Sequence, residues 1–131
     1  MLMKETNHLS LTKIENTSIR FGSENYSQEW ITIEEYNRVK TILESYSDEQ
    51  KRSIIHAVTD RPMSFLEIAH ACKIPLASCH RKIYSLIEEG LLVGERSNLR
   101  IKSKRYRSTF KEMRINVKKD TIIVGVKQHL D

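Results

Sequence analysis

The stretch whose reading decides the fold runs from Ser64 to Arg107: SFLEIAHACKIPLASCHRKIYSLIEEGLLVGERSNLRIKSKRYR. Ser64 and Glu67 match a capping box, in which a hydroxyl and a carboxylate satisfy each other's backbone N–H groups. A short helix is therefore expected from there, with Phe65, Ile68, Ala69 and Cys72 facing inward. Lys73-Ile74-Pro75 reads as a turn, because proline has no amide hydrogen and belongs at or just before a first helical turn. The next helix runs to about Glu89 and stops at Gly90, which suits the left-handed position that closes helices. At about 100° per residue, Cys79, Ile83 and Leu86 share one face of it. Arg81 lies nearly opposite, flanked by Ala77, Tyr84, Ser78 and Ser85, with His80 and Lys82 on the shoulders.

After Gly90 the helical period fails. Leu91–Arg96 and Lys104–Phe110 read as two strands whose joining loop ends near Ser97 and Ser103. Arg96, Arg100, Lys102, Lys104, Arg105 and Arg107 fall within twelve residues that hold no acidic side chain. Continuing to Lys119 adds Lys111, Arg114, Lys118 and Lys119 against Glu112 alone. Self-repulsion disfavours so one-sided a run unless polyanion contact compensates it.

Upstream, Ser47 reads as an N-cap with Gln50 as its box partner, opening a helix buried through Ile54, Ile55 and Val58 and broken by Asp60-Arg61-Pro62. Before it, Thr32 and Glu35 match another capping box. They place helix one over Thr32–Tyr46, with Tyr36, Val39, Ile42, Leu43 and Tyr46 on one stripe. Residues 1–29 are polar and read as a flexible tail, with Ile14–Phe21 as a weak strand alternative. Downstream, Met113, Ile115 and Val117 alternate with polar residues, Lys119-Asp120 turns the chain, and Ile122, Val124 and Val126 alternate on the return. The expected fold class is α+β: a winged helix-turn-helix with an extra N-terminal helix and a C-terminal β-hairpin. The expected domain is 30–131, with the helix-turn-helix at 64–89, the wing at 91–110 and the strand pair at 111–127.

The 131 residues suffice for one domain with a tail or an accessory element. The net charge of +5 divides unevenly. Residues 1–50 carry five basic against nine acidic side chains, and residues 51–131 carry seventeen against eight. A nucleic acid is the implied partner and a membrane is not. Nothing approaches a transmembrane run, and the first ten residues lack an apolar signal segment, so a cytoplasmic protein is expected. Cys72 and Cys79 form no disulfide framework. With His56, His70 and His80 they lack the spacing of a zinc finger or ribbon, so no metal and no cofactor are expected. No phosphate loop, His-Glu-x-x-His or nucleophile elbow is present, so an enzyme is not expected.

From Ser47 to Phe110 the chain resembles the winged helix-turn-helix of ArsR-like regulators, particularly the small archaeal ones. The resemblance rests on Ile68-Ala69, Ile74, Cys79, Ile83, Leu86, Glu88, Gly90-Leu91-Leu92 and Lys104-Arg105-Tyr106-Arg107-Ser108. It covers about half the chain. It implies a homodimer, insertion of the helix Leu76–Glu89 into the major groove, and minor-groove or backbone contacts by Arg96–Arg105. Pro75 stands where such proteins usually have a Ser or Thr cap, and the C-terminal strand pair replaces their dimerisation helix. Helix one, the strand pair, or no dimer at all remain as alternatives.

The functional expectation is a sequence-specific transcription regulator on double-stranded DNA. Its contacts are Ala77, Ser78, His80, Arg81, Lys82 and Tyr84 from the helix, and Arg96, Arg100, Lys102, Lys104 and Arg105 from the wing. The alternative is a winged-helix module that grips a protein partner within a transcription or other nucleic-acid-handling complex. RNA binding by the basic hairpin is a third, weaker reading.

Overall fold

In a computed structural model, which describes residues 14–15, 29–96 and 104–130, ten elements follow in chain order. They are β1 (Ile14–Glu15), β2 (Trp30–Ile33), α1 (Tyr36–Ser47), α2 (Glu49–Ala57), α3 (Phe65–Cys72), α4 (Leu76–Glu88), β3 (Leu92–Arg96), β4 (Lys104–Ser108), β5 (Phe110–Lys118) and β6 (Thr121–Gln128). They gather into two units. One is Thr41–Thr109; the other combines the chain up to Lys40 with the chain from Phe110 onward. The α+β class and the winged helix-turn-helix expected from the sequence are both present.

In the Thr41–Thr109 unit, α3 opens on the expected capping box. Ser64 Oγ accepts from the Glu67 amide, and Glu67 Oε1 accepts from the Ser64 amide. It ends with Lys73 in the left-handed region at φ 55. There the Ile74 amide reaches back to the Ala69 carbonyl and the Lys73 amide to that of His70, the paired bonds of a Schellman motif. Helix α4 ends the same way on Gly90 at φ 81, with Leu91 bonded to Leu86 and Gly90 to Ile87. Here glycine removes the Cβ clash that lysine bears at residue 73. Ile54, Val58, Ile68, Cys79, Ile83 and Leu86 are buried, and full burial of each large aliphatic contributes about 1.5–3 kcal/mol. The inner face of α4 read from its period is therefore the observed one.

The two-stranded sheet β3–β4 pairs Leu92 with Ser108 through Arg96 with Lys104. A short bridge extends it. Met63 and Tyr106 exchange both backbone hydrogen bonds, at 3.1 and 2.8 Å. The hairpin is thereby tied to the segment just ahead of α3.

Two helix starts differ from the sequence reading. Thr32 does not cap helix one; it lies in β2, opposite Gly125 of β6. The β-branched run Ile31-Thr32-Ile33 favours an extended chain, and α1 begins at Tyr36, where the Glu35 carboxylate accepts from the Asn37 and Arg38 amides. Tyr36 consequently stays 74% exposed rather than joining the buried stripe. Ser47 is the last residue of α1, and its hydroxyl donates to the Glu44 carbonyl. The N-cap of α2 is Asp48, whose carboxylate accepts from the Lys51 amide.

In the other unit four strands run in the order β1-β2-β6-β5, all antiparallel. Cross-strand pairing sets one apolar face: Ile115–Val124–Ile33 and Met113–Val126–Ile31 form its rows. Ile33, Val124 and Val126 are buried. The tail reading of residues 1–29 falls outside the described residues except for Glu29 and the two-residue strand β1, which pairs with β2. Among the described residues no helix is long and apolar enough to cross a membrane.

Candidate nucleic-acid interface

Helix α4 turns Ala77, Arg81, Tyr84 and Glu88 outward, all of them exposed. On one shoulder, His80 stands edge-on between two rings, 4.2 Å from Phe65 and 5.1 Å from Tyr84. On the other, Ser78, Lys82 and Ser85 are half-buried. Lys82 Nζ lies 2.6 Å from Asp48 Oδ2. That hydrogen bond holds the Asp48 carboxyl below its ordinary range, against the opposing effect of burial and with help from the Lys51 and Gln50 amides. Of the cations expected on this helix, Arg81 alone has no ion-pair partner among the described residues.

The start of α4 adds backbone donors. Pro75 occupies the N-cap without a side-chain hydrogen bond, and the first helical bond runs from the Cys79 amide to the Pro75 carbonyl. The amides of Leu76, Ala77 and Ser78 thus have no partner within the helix. Donors so placed accept anionic oxygens, and the helix dipole favours negative charge there.

On the hairpin, Lys104 is exposed, and its aliphatic stem runs beside Gly94 together with the Tyr106 ring. A Cβ at Gly94 would meet both at 3.5 Å, an ordinary van der Waals contact. Arg105 is half-buried and already engaged: its guanidinium lies 3.1 Å from Glu67 Oε1 and 3.4 Å from the Pro62 carbonyl. Glu67 is held below the usual carboxylate range, first by the Ser64 amide and then by Arg105. Arg107 pairs with Glu95 at 3.5 Å. Arg96 closes β3, opposite Lys104. Arg100 and Lys102 lie outside the described residues.

Ala77, Ser78, His80, Arg81, Lys82 and Tyr84 thus share one side of α4, while Lys104 and Arg105 stand on the adjoining hairpin. Asp48 and Glu67 each serve a helix start and also hold a cation of this surface. The sequence reading found the Glu67 box but placed the α2 cap at Ser47, and it missed both ion pairs, which required the tertiary fold. Burial pushes the Cys72 and Cys79 thiols up, the reverse of what a reactive or metal-binding thiolate needs. Among the described residues no three His, Cys, Asp or Glu side chains cluster as metal ligands would.

A helix pair with a Schellman turn, an outward second helix and a hairpin bridged back to the helix pair define a winged helix-turn-helix. Among solved structures, the chain is similar to the homodimeric winged helix-turn-helix DNA-binding domain, fragment 1-100, of a possible ArsR-family transcriptional regulator from Mycobacterium bovis. The TM-score is 0.50 at 16% identity, covering 56% of this chain and 65% of that one. It also matches the adhesin competence repressor of Streptococcus pyogenes at a TM-score of 0.41 and 20% identity, covering 56% of this chain and 58% of the repressor. The chain thus spans less than two thirds of either. At these identities the first likeness concerns the fold. No family model and no curated protein matches the sequence.

Proposed function

We propose that this protein is a transcription regulator that binds double-stranded DNA as a homodimer, in the manner of the small archaeal ArsR-like regulators it resembles. In this reading α4 enters the major groove. Arg81 reads base edges, with Ala77 and Ser78 short enough to allow close approach. Lys104, with Arg100 and Lys102, neutralises phosphates. The observation that carries the reading is the exposed Arg81 at the centre of the outer stripe of α4, without an ion-pair partner among the described residues and one turn from uncapped helix amides. The fold neighbour from Mycobacterium bovis, a homodimeric DNA-binding domain, lends the same direction.

Selection of bound duplexes from a random pool, followed by anisotropy titration of the enriched site, tests it. A palindromic consensus is expected, with Arg81→Ala losing about 1–3 kcal/mol of discrimination at one base pair of each half-site. Unchanged preference in Arg81→Ala would remove α4 from the base-reading role. No binding to any duplex at low salt would overturn the whole reading.

A further inference from the structure

The sheet order leaves β5 at an edge: β6 flanks it on one side, and among the described residues no strand flanks it on the other. The strand is nine residues long and contains neither proline nor glycine. Long edges of this kind are templates for pairing with another chain. The apolar face of the hairpin continues past its buried part, leaving Ile115 40%, Ile122 37% and Val117 70% exposed.

The sequence of β5 also specifies how such an edge would pair with itself. Glu112, Arg114, Asn116 and Lys118 share the polar face, and Met113, Ile115 and Val117 the apolar one. Antiparallel pairing centred on Ile115 sets Glu112 opposite Lys118 twice, Arg114 opposite Asn116 twice, and Met113 opposite Val117 twice, with Ile115 against Ile115. Centring on Arg114 opposes Arg114 to itself, and centring on Asn116 opposes Arg114 to Lys118. Like charges directly opposite are destabilising. Centring on Met113 runs the partner into the irregularity between Phe110 and Glu112. The backbone agrees. The two-residue turn Lys119-Asp120 closes on the Lys118–Thr121 pair, so ladder alternation directs the amides and carbonyls of the even positions toward β6. Those of Met113, Ile115 and Val117 then point to the open edge.

We propose that two copies of this chain join β5 to β5, antiparallel and centred on Ile115, extending each four-stranded sheet into its partner across a twofold axis. The interface is isologous, the arrangement that closes a dimer rather than growing a fibre. It names the dimer contact of the proposed regulator and rests on that reading for its purpose, while the pairing itself is decided without DNA.

Sedimentation of the full chain over a range of concentrations tests it. The parent sediments as a dimer, and Ile115→Lys as a monomer. Should Ile115→Lys fail to fold, Val117→Lys, at the most exposed position of the stripe, gives the same readout. Glu112→Lys and Lys118→Glu each weaken dimerisation roughly tenfold or more, and the double exchange restores it. The intrachain Glu112–Lys127 pair, at 3.3 Å, is lost in both the Glu112→Lys single and the double variant. Recovery therefore isolates the contact between copies. A monomeric parent, a dimer indifferent to Ile115→Lys, or a double variant no better than its singles overturns the proposal. A random-duplex titration run alongside separates the two readings: a monomer that binds duplex fails the pairing alone, and a dimer that binds none fails the DNA reading alone.

Discussion

Lys82 of α4 reaches across to Asp48, with Nζ 2.6 Å from Oδ2, so a single carboxylate both caps α2 and holds a cation of α4. The same economy recurs at Glu67, which completes the box of α3 and pairs with Arg105. In each case an anion needed for helix initiation also fixes the position of a cation on the adjoining surface and lowers its availability to an outside anion.

Replacing Asp48 separates the two roles. Asparagine caps nearly as well as aspartate, so Asp48→Asn should cost less than about 1 kcal/mol in urea denaturation. Its affinity for random duplex should rise, because Lys82 is released and a negative charge is gone, with a salt slope steeper by about one. Asp48→Ala removes the cap as well and should cost about 1–2 kcal/mol. Equal costs for the two variants would mean that the cap contributes nothing.

The hairpin cations are not equivalent. Lys104 is exposed with no ion-pair partner among the described residues, whereas Arg105 is held by Glu67 and the Pro62 carbonyl. Lys104→Ala should reduce the salt slope of duplex binding by about one. Arg105→Ala should leave that slope nearly unchanged and show its effect in thermal unfolding instead. A larger slope change for Arg105 than for Lys104 would show that the Glu67 pair opens on binding.

Helices α3 and α4 were legible in the sequence because their limits are set by local chemistry: the Ser64–Glu67 box, Lys73-Ile74-Pro75 and Gly90. Their buried faces followed from a period that one stretch of chain carries by itself. The start of α1 was not legible, since Thr32-x-x-Glu35 also fits a capping box. What decides against it is pairing with Gly125, more than ninety residues on. The hairpin β5–β6 showed through alternation, but its junction with β2 did not, because four residues of strand announce no partner. On the candidate surface, the outward position of Arg81 was readable from helical geometry alone. The engagement of Lys82 and Arg105 was not, since each depends on an anion brought from another helix.

Trp30 anchors the four-stranded sheet in a way that a substitution cycle can measure. The Arg114 guanidinium carbon lies 3.9 Å from its ring centroid and Lys127 Nζ 4.8 Å. A Cβ at Gly125 would sit 3.4 Å from the ring, at van der Waals contact, so the indole lies directly against β6 at this residue. Trp30→Ala and Arg114→Ala should each destabilise, and the double variant should cost less than their sum by about 0.5–1 kcal/mol, the coupling expected of a cation over an indole. Strict additivity would show that the two groups stack without attraction.

The Glu89 network predicts part of the acid stability limit. Ser45 is buried, and its hydroxyl donates to Glu89; Lys51 Nζ lies 2.9 Å from the same carboxylate and Ser85 Oγ 3.0 Å. Burial pushes the Glu89 carboxyl up, but these donors together outweigh it and hold the group below its ordinary range. Its folded value therefore lies below the unfolded one, about 4.3. The stabilisation is fully present above that value and is lost as pH falls through the folded one, and Asp48 acts in the same direction. Lys51→Met leaves the carboxylate largely shielded without its cation, and should cost about 1–3 kcal/mol at neutral pH. As pH falls through the folded value the parent loses the same interaction by protonation, so the gap between parent and variant should close. Urea denaturation of both proteins from neutral pH downward, with Glu89 protonation followed by NMR, measures it, and a gap unchanged once the carboxyl is protonated would show that Lys51 stabilises by packing rather than by charge.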